Sequence, residues 1–144
     1  METNIIQSVT IKDLFNQIST LNQKIIKNTE LIDFLEESTD YEKVLKEIVN
    51  DHNTIKVLRY KIQKANMTNE INYNNETLIV AELINRKERL IFELNLKKTT
   101  IEKLNKNKNS KLFIKLNEST FNLMKEIGNM NRVLDQFNST MHLS

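Results

Sequence analysis

The 144-residue sequence has no cysteine, no proline, no tryptophan and a single glycine. Without cysteine the chain cannot form disulfides, thiolate zinc sites or a cysteine nucleophile. Because proline and glycine supply most turns of sandwiches, barrels and Gly-rich nucleotide-binding folds, their scarcity excludes these classes and predicts an all-α protein. No apolar run approaches the roughly 20 residues that span a membrane, and the first residues include an acid where a signal peptide has bases. We therefore expect a cytoplasmic protein with no membrane partner.

Three segments carry apolar residues at spacings of three and four, the spacing of one face of a helix, and a fourth carries apolar residues around a broader face. Short polar links between long helices make neighbouring helices antiparallel. We therefore predict a single all-α domain over residues 1–144, built from two long antiparallel helical hairpins as a coiled-coil-like four-helix bundle. The predicted helices span about residues 9–37, 41–65, 77–105 and 110–141.

The longest predicted connection is residues 66–76, which are rich in asparagine. Asparagine tolerates the left-handed backbone that turns need when glycine is absent. We therefore predict a loop over 66–76, and we expect Thr77 to cap the third helix.

The first and fourth predicted helices have the most regular apolar seams. On the first seam, Asn28 either fixes register and partner number, as a buried Asn does in coiled coils, or reaches solvent at the seam edge. Narrow seams are typical of coiled coils formed by several chains, so we favour a homo-oligomer over closure into a monomeric bundle. The expected oligomer seam of the fourth helix consists of Phe113, Leu116, Leu123, Ile127, Met130, Leu134 and Phe137.

No motif in the sequence carries a known chemistry. The two histidines, His52 and His142, lie outside any HExxH or Glu-x-x-His arrangement. The single glycine excludes a Gly-x-Ser-x-Gly elbow and a phosphate-binding glycine loop. We therefore predict no catalytic, metal-binding or cofactor-binding residues, and no enzyme.

Lysines cluster around the third predicted connection, and they form the one stretch that could attract a phosphate backbone. No aromatic side chain suited to base stacking accompanies them, so a solvated basic turn is the favoured interpretation and a nucleic-acid site is the alternative. The candidate phosphate-contacting residues are Lys97, Lys98, Lys103, Lys106, Lys108 and Lys111.

Short motifs on both sides of the central loop are similar to those of a known family. The sequence has Ile62-x-x-Ala65-Asn66-Met67-Thr68-Asn69, then Thr77-Leu78, then Leu83-Ile84-x-Arg86-Lys87-x-x-Leu90. These residues, with Arg132, Leu134, Asp135 and Gln136 near the end, resemble the bacterial family of small uncharacterised helical proteins that carries the name septicolysin.

The resemblance implies a cytoplasmic, helical, oligomeric bacterial protein, and it implies no activity. The sequence departs from the family at three places. Lys87 stands where the family usually has Asp, the closing Trp is absent, and Asn74 or Asn75 replaces the glycine of the central loop.

Four residues around the central loop form a candidate site. Asn66, Thr68 and Asn69 follow the predicted end of the second helix, where their side chains could bind terminal carbonyls and lock the turn. Arg86 lies on the returning helix within reach of that turn. A structural lock is the favoured interpretation, and a ligand or partner site is the alternative.

These observations favour a non-enzymatic helical scaffold or protein-interaction protein that self-associates through coiled-coil seams, with a second protein as a further partner. One alternative is a nucleic-acid- or ribosome-associated binding module that uses the Lys-rich connection 97–111. The other is a small regulator or inhibitor of a larger protein machine.

Overall fold

A computed structural model of the chain describes residues 8–104 and 111–143. About 85% of these residues are helical, which confirms the all-α class. Four α-helices account for nearly all of this content: α1 (Ile11–Leu31), α2 (Ser38–Thr68), α3 (Val80–Leu104) and α4 (Lys111–Thr140). Two pairs of short strands complete the fold: β1 (Val9–Thr10) with β4 (His142–Leu143), and β2 (Glu70–Tyr73) with β3 (Glu76–Ile79).

The boundaries of three helices differ from the predicted ones. α1 ends at Leu31 and continues as a 3₁₀ turn, Ile32–Phe34, so the first helix is shorter than predicted. α2 begins at Ser38 and extends to Thr68, which is longer than predicted at both ends. α3 begins at Val80 instead of residue 77.

Contacts group the chain into two compact units, Met1–Ala65 with Asn138–Ser144, and Asn66–Phe137. In the first unit α1 packs on α2, and in the second α3 packs on α4. The single domain over 1–144 stays a prediction.

In the first unit, α1 begins at a capping box that the sequence reading overlooked. The Thr10 N–H donates to Asp13 Oδ2 at 2.9 Å, and the Asp13 N–H donates to Thr10 Oγ1 at 3.2 Å. The donated N–H lowers the pKa of Asp13. Beside this cap β1 and β4 pair antiparallel, with Val9 opposite Leu143. The spacing Thr-x-x-Asp is the signal that predicts such a cap.

In the second unit, residues 70–79 form a β-hairpin, so the predicted loop over 66–76 is wrong. Asn74 and Asn75, at φ 50° and 63°, form its two-residue turn, because asparagine adopts the left-handed conformation that hairpin turns require. Thr77 does not cap a helix. It lies opposite Asn72 on the neighbouring strand, and its hydroxyl donates to Asn72 Oδ1 at 3.0 Å.

The hairpin covers part of the core that α3 and α4 share. One cluster of buried residues joins hairpin and helices, and a second lies further along the two helices. The first cluster contains Tyr73, Leu78, Val80, Leu83, Met130 and Leu134, and the second contains Leu94, Leu123 and Ile127.

Candidate functional site

The predicted oligomer seam of α4 lies largely inside the second unit. Leu123, Ile127, Met130 and Leu134 are buried against α3 or the hairpin, and Phe113, Leu116 and Phe137 are half-buried. This apolar surface is already covered by the same chain, so a contact with a second copy has to use another face. We call the buried set of α4, Thr120, Leu123, Ile127, Met130 and Leu134, the inner face.

A second set of residues on α4 was missed by sequence reasoning. Ile114, Asn117, Phe121, Met124 and Gly128 are also spaced three and four apart, and we call them the outer face. Its three large apolar side chains are exposed, Phe121 by 69%. A shallow depression of about 470 Å³ lies on this part of α4, lined by Asn117, Glu118, Phe121 and Asn122. The missed signal was the same helical spacing, displaced around the helix from the inner face.

Asn28, the polar residue of the first predicted seam, is half-buried in α1. Its Nδ2 atom is shielded from solvent and has no hydrogen-bond partner within the described part of the chain. The proposed role of Asn28 in register or partner number stays a prediction.

The predicted turn lock is only partly brought together. Asn66 and Thr68 lie within α2 instead of after its end, and Asn66 Oδ1 is buried without a hydrogen bond among residues 8–104 and 111–143. Asn69 Nδ2 donates to Thr68 Oγ1 at 3.5 Å, and the Val80 N–H donates to the Asn69 carbonyl at 3.0 Å. The latter bond closes the base of the hairpin.

The side chain that ties Arg86 to the turn is Glu76, which the sequence reading missed. Arg86 Nη1 donates to Glu76 Oε2 at 3.1 Å, and Nη2 donates to Glu76 Oε1 at 3.2 Å. Nη2 also lies 3.2 Å from Glu82 Oε1. The Glu82–Arg86 pair could be found from its helical spacing, but Glu76 lies on a strand, and only a hairpin prediction would place it beside Arg86.

This ion pair shifts the titration of both partners. The Arg86 guanidinium, which donates to the carboxylate, lowers the pKa of Glu76. The same contact raises the pKa of Arg86. A bidentate ion pair of this kind holds its partners in one orientation, so it fixes the hairpin relative to α3.

A small cleft of about 200 Å³ adjoins the ion pair. Burial first, and the Glu126 carboxylate second, raise the pKa of Tyr73 at its edge. Tyr73 is therefore neutral at neutral pH and serves as a hydrogen-bonding group instead of a base. With two arginines, two carboxylates and an apolar floor, the cleft can hold a polar side chain. It is lined by Tyr73, Asn74, Glu76, Arg86, Arg89, Leu90, Glu126 and Met130.

The candidate phosphate-contacting lysines are distributed unevenly. Lys97 donates to Glu93 Oε1 at 2.8 Å and to Ser119 Oγ at 2.6 Å, so its charge is already paired within the unit. Lys98, Lys103 and Lys111 are exposed. Lys106 and Lys108 lie outside the described residues.

Within residues 8–104 and 111–143, no group of three histidine, aspartate or glutamate side chains is placed to hold a metal ion. None of the helices described there combines the length and the apolar character needed to cross a membrane. In comparisons with known proteins, no family model, no curated protein and no solved structure matches this chain.

Proposed function

We propose that this protein is a non-enzymatic helical scaffold that self-associates through the outer face of α4 and binds other proteins through its exposed helix surfaces. The observation that carries the proposal is the exposure of Ile114, Phe121 and Met124, by 54%, 69% and 53%. Regularly spaced apolar side chains that remain exposed commonly mark sites of protein association.

The charges beside the outer face suit a second copy in antiparallel orientation. Glu118 and Lys125 are exposed and occupy equivalent heptad positions on one edge of the stripe. In an antiparallel pair centred on Phe121, each Glu118 faces the Lys125 of the other copy. One heptad further out the same register places Lys111 opposite Arg132, which is unfavourable. We therefore expect a short contact and an association that depends on protein concentration.

The two other functions have less support. The nucleic-acid module loses part of its cationic site because Lys97 is paired with Glu93. A regulator or inhibitor of a larger machine would use the same exposed helix surfaces as a scaffold, and it becomes the better description if a partner binds more tightly than a second copy.

We also propose membership of the septicolysin family. In support, Asn74 and Asn75 have positive φ angles at the place where the family has a glycine. Glycine adopts such angles readily and asparagine is the next most tolerant residue, so the exchange conserves the turn.

The test is solution mass by light scattering over a tenfold concentration range at low and moderate salt, with absorbance at 260 nm recorded alongside. We expect a mass that rises with concentration, and Phe121→Glu should abolish the rise. Lys115→Glu is the matched control because Lys115 is exposed on the same helix away from the outer face. A mass that stays monomeric, or equal loss in both variants, would contradict self-association through this face. A monomer that carries salt-labile nucleic acid would favour the binding module.

A further inference from the structure

Two acids of α2 are paired with a lysine of α1. Glu47 and Asp51 face α1, where Lys24 Nζ lies 3.0 Å from Glu47 Oε1 and 3.8 Å from Asp51 Oδ2. The hydrogen bond to Glu47 and the charge of Asp51 raise the pKa of Lys24. Both carboxylates on this side therefore share one lysine of the same unit.

Between residues 46 and 61, the opposite side of α2 carries exposed lysines and apolar side chains and no acid. Val49, Val57 and Tyr60 are exposed by 56%, 55% and 65% and lie within one narrow arc of the helix. From residue 52 to residue 65 the sequence has bases and no acid. The exposed lysines interspersed with these apolar side chains are Lys46, Lys56 and Lys61. We call these six residues the α2 outer face.

This combination selects one class of partner. Two copies of the face would bring lysines against lysines, so a second copy is disfavoured. A phosphate backbone would pair with the lysines but would leave the valines exposed. Helices that lie in a membrane surface have broad apolar faces with Trp, Phe and Leu, whereas this stripe has the width of a helix–helix seam.

We propose that the α2 outer face binds an amphipathic helix of a partner protein whose apolar seam is flanked by acidic residues. The apolar stripes pack together, and the acidic residues of the partner neutralise the lysines beside these apolar side chains. The inference rests on the proposed function and names the chemistry of the second partner, which the outer face of α4 does not determine.

The experiment measures fluorescence anisotropy of a labelled synthetic peptide of about three heptads, with Leu at the seam and Glu on both flanks, titrated with the full chain. A scrambled peptide of the same composition tests whether helical patterning is needed. A single-stranded oligonucleotide and phosphatidylserine vesicles are the competing probes.

Lys56→Glu/Lys61→Glu and Tyr60→Ser are each expected to weaken binding of the patterned peptide by about tenfold or more, because they remove the charge pairing and the apolar anchor respectively. Lys98→Glu/Lys103→Glu, an equal charge change at exposed positions of α3, should leave binding unchanged. Circular dichroism checks that every variant keeps its helical content.

The inference is overturned if the scrambled peptide binds as tightly as the patterned one, or if the α3 variant loses as much binding as the α2 variants. It is also overturned if the oligonucleotide or the vesicles bind more tightly than the peptide and the α2 variants weaken that binding equally. Light scattering of the α2 variants separates this failure from failure of the proposed function. If the chain still self-associates but the α2 variants bind the peptide as tightly as the wild type does, only the inference is refuted.

Discussion

The two faces of α4 have the same residue spacing, but one is buried within the chain and the other is exposed. The inner face is buried by α3 and the hairpin, whereas Ile114, Phe121 and Met124 of the outer face are exposed. Composition distinguishes the two faces, since the outer one contains Asn117 and Gly128. Apolar spacing therefore shows that a helix has a seam, but it does not show which seam is buried by other parts of the same chain.

The strongest test of this contrast truncates one side chain on each face. Leu134, 4% exposed, lies in the cluster shared with the hairpin. Leu134→Ala should lower the free energy of unfolding by about 2–5 kcal/mol, because the folded state loses buried apolar surface and is left with a cavity. Phe121→Ala, on the exposed face, should change it by less than about 0.5 kcal/mol at a protein concentration where the chain is monomeric. Urea denaturation measures both, and similar losses in the two variants would erase the distinction.

A smaller effect is expected at the turn that positions the hairpin over the inner face. Asn75→Ala should lower the free energy of unfolding by about 1 kcal/mol, because alanine tolerates a φ of 63° less well than asparagine. Asn75→Gly is the control and should cost nothing at this position. If thermal denaturation shows the alanine variant to be as stable as the glycine variant, the left-handed turn does not support the core.

The smallest effect concerns the ion pair that ties the hairpin to α3, and it depends on pH. Since Arg86 lowers the pKa of Glu76 in the folded state, the folded protein binds fewer protons there than the unfolded one. The stabilisation is complete above the unfolded pKa of about 4.3 and is lost as pH falls through the lower folded value.

We therefore expect Glu76→Gln to melt slightly below the wild type at pH 7, with the difference shrinking towards pH 3. Thermal melts at intervals across this range measure it. A difference that is independent of pH would show that the carboxylate charge contributes nothing. Glu88→Gln, at an exposed position of α3 without an ion pair among the described residues, is the control.

The helical class and the existence of four helices followed from the sequence because apolar spacing repeats over many turns and so averages out local ambiguity. The hairpin did not follow, because its turn contains no glycine and Asn74 and Asn75 supply the left-handed backbone instead. Arg86 was identified, but its partner Glu76 was not, because their contact depends on the strand register. The capping box at Thr10 and Asp13 was readable and was overlooked.

The two strand pairs differ in how far apart their partners lie along the chain. β2 and β3 close over two residues, which brings the hairpin within the microsecond range of local folding events. Ser8 and His142, which share a hydrogen bond of 3.0 Å beside β1 and β4, are 134 residues apart in sequence. Closing so long a loop costs entropy that strands of two residues each cannot repay alone. The pairing of β1 with β4 is therefore expected to form last in folding and to open first, which makes amide exchange at Val9 and Leu143 a report on the earliest step of unfolding.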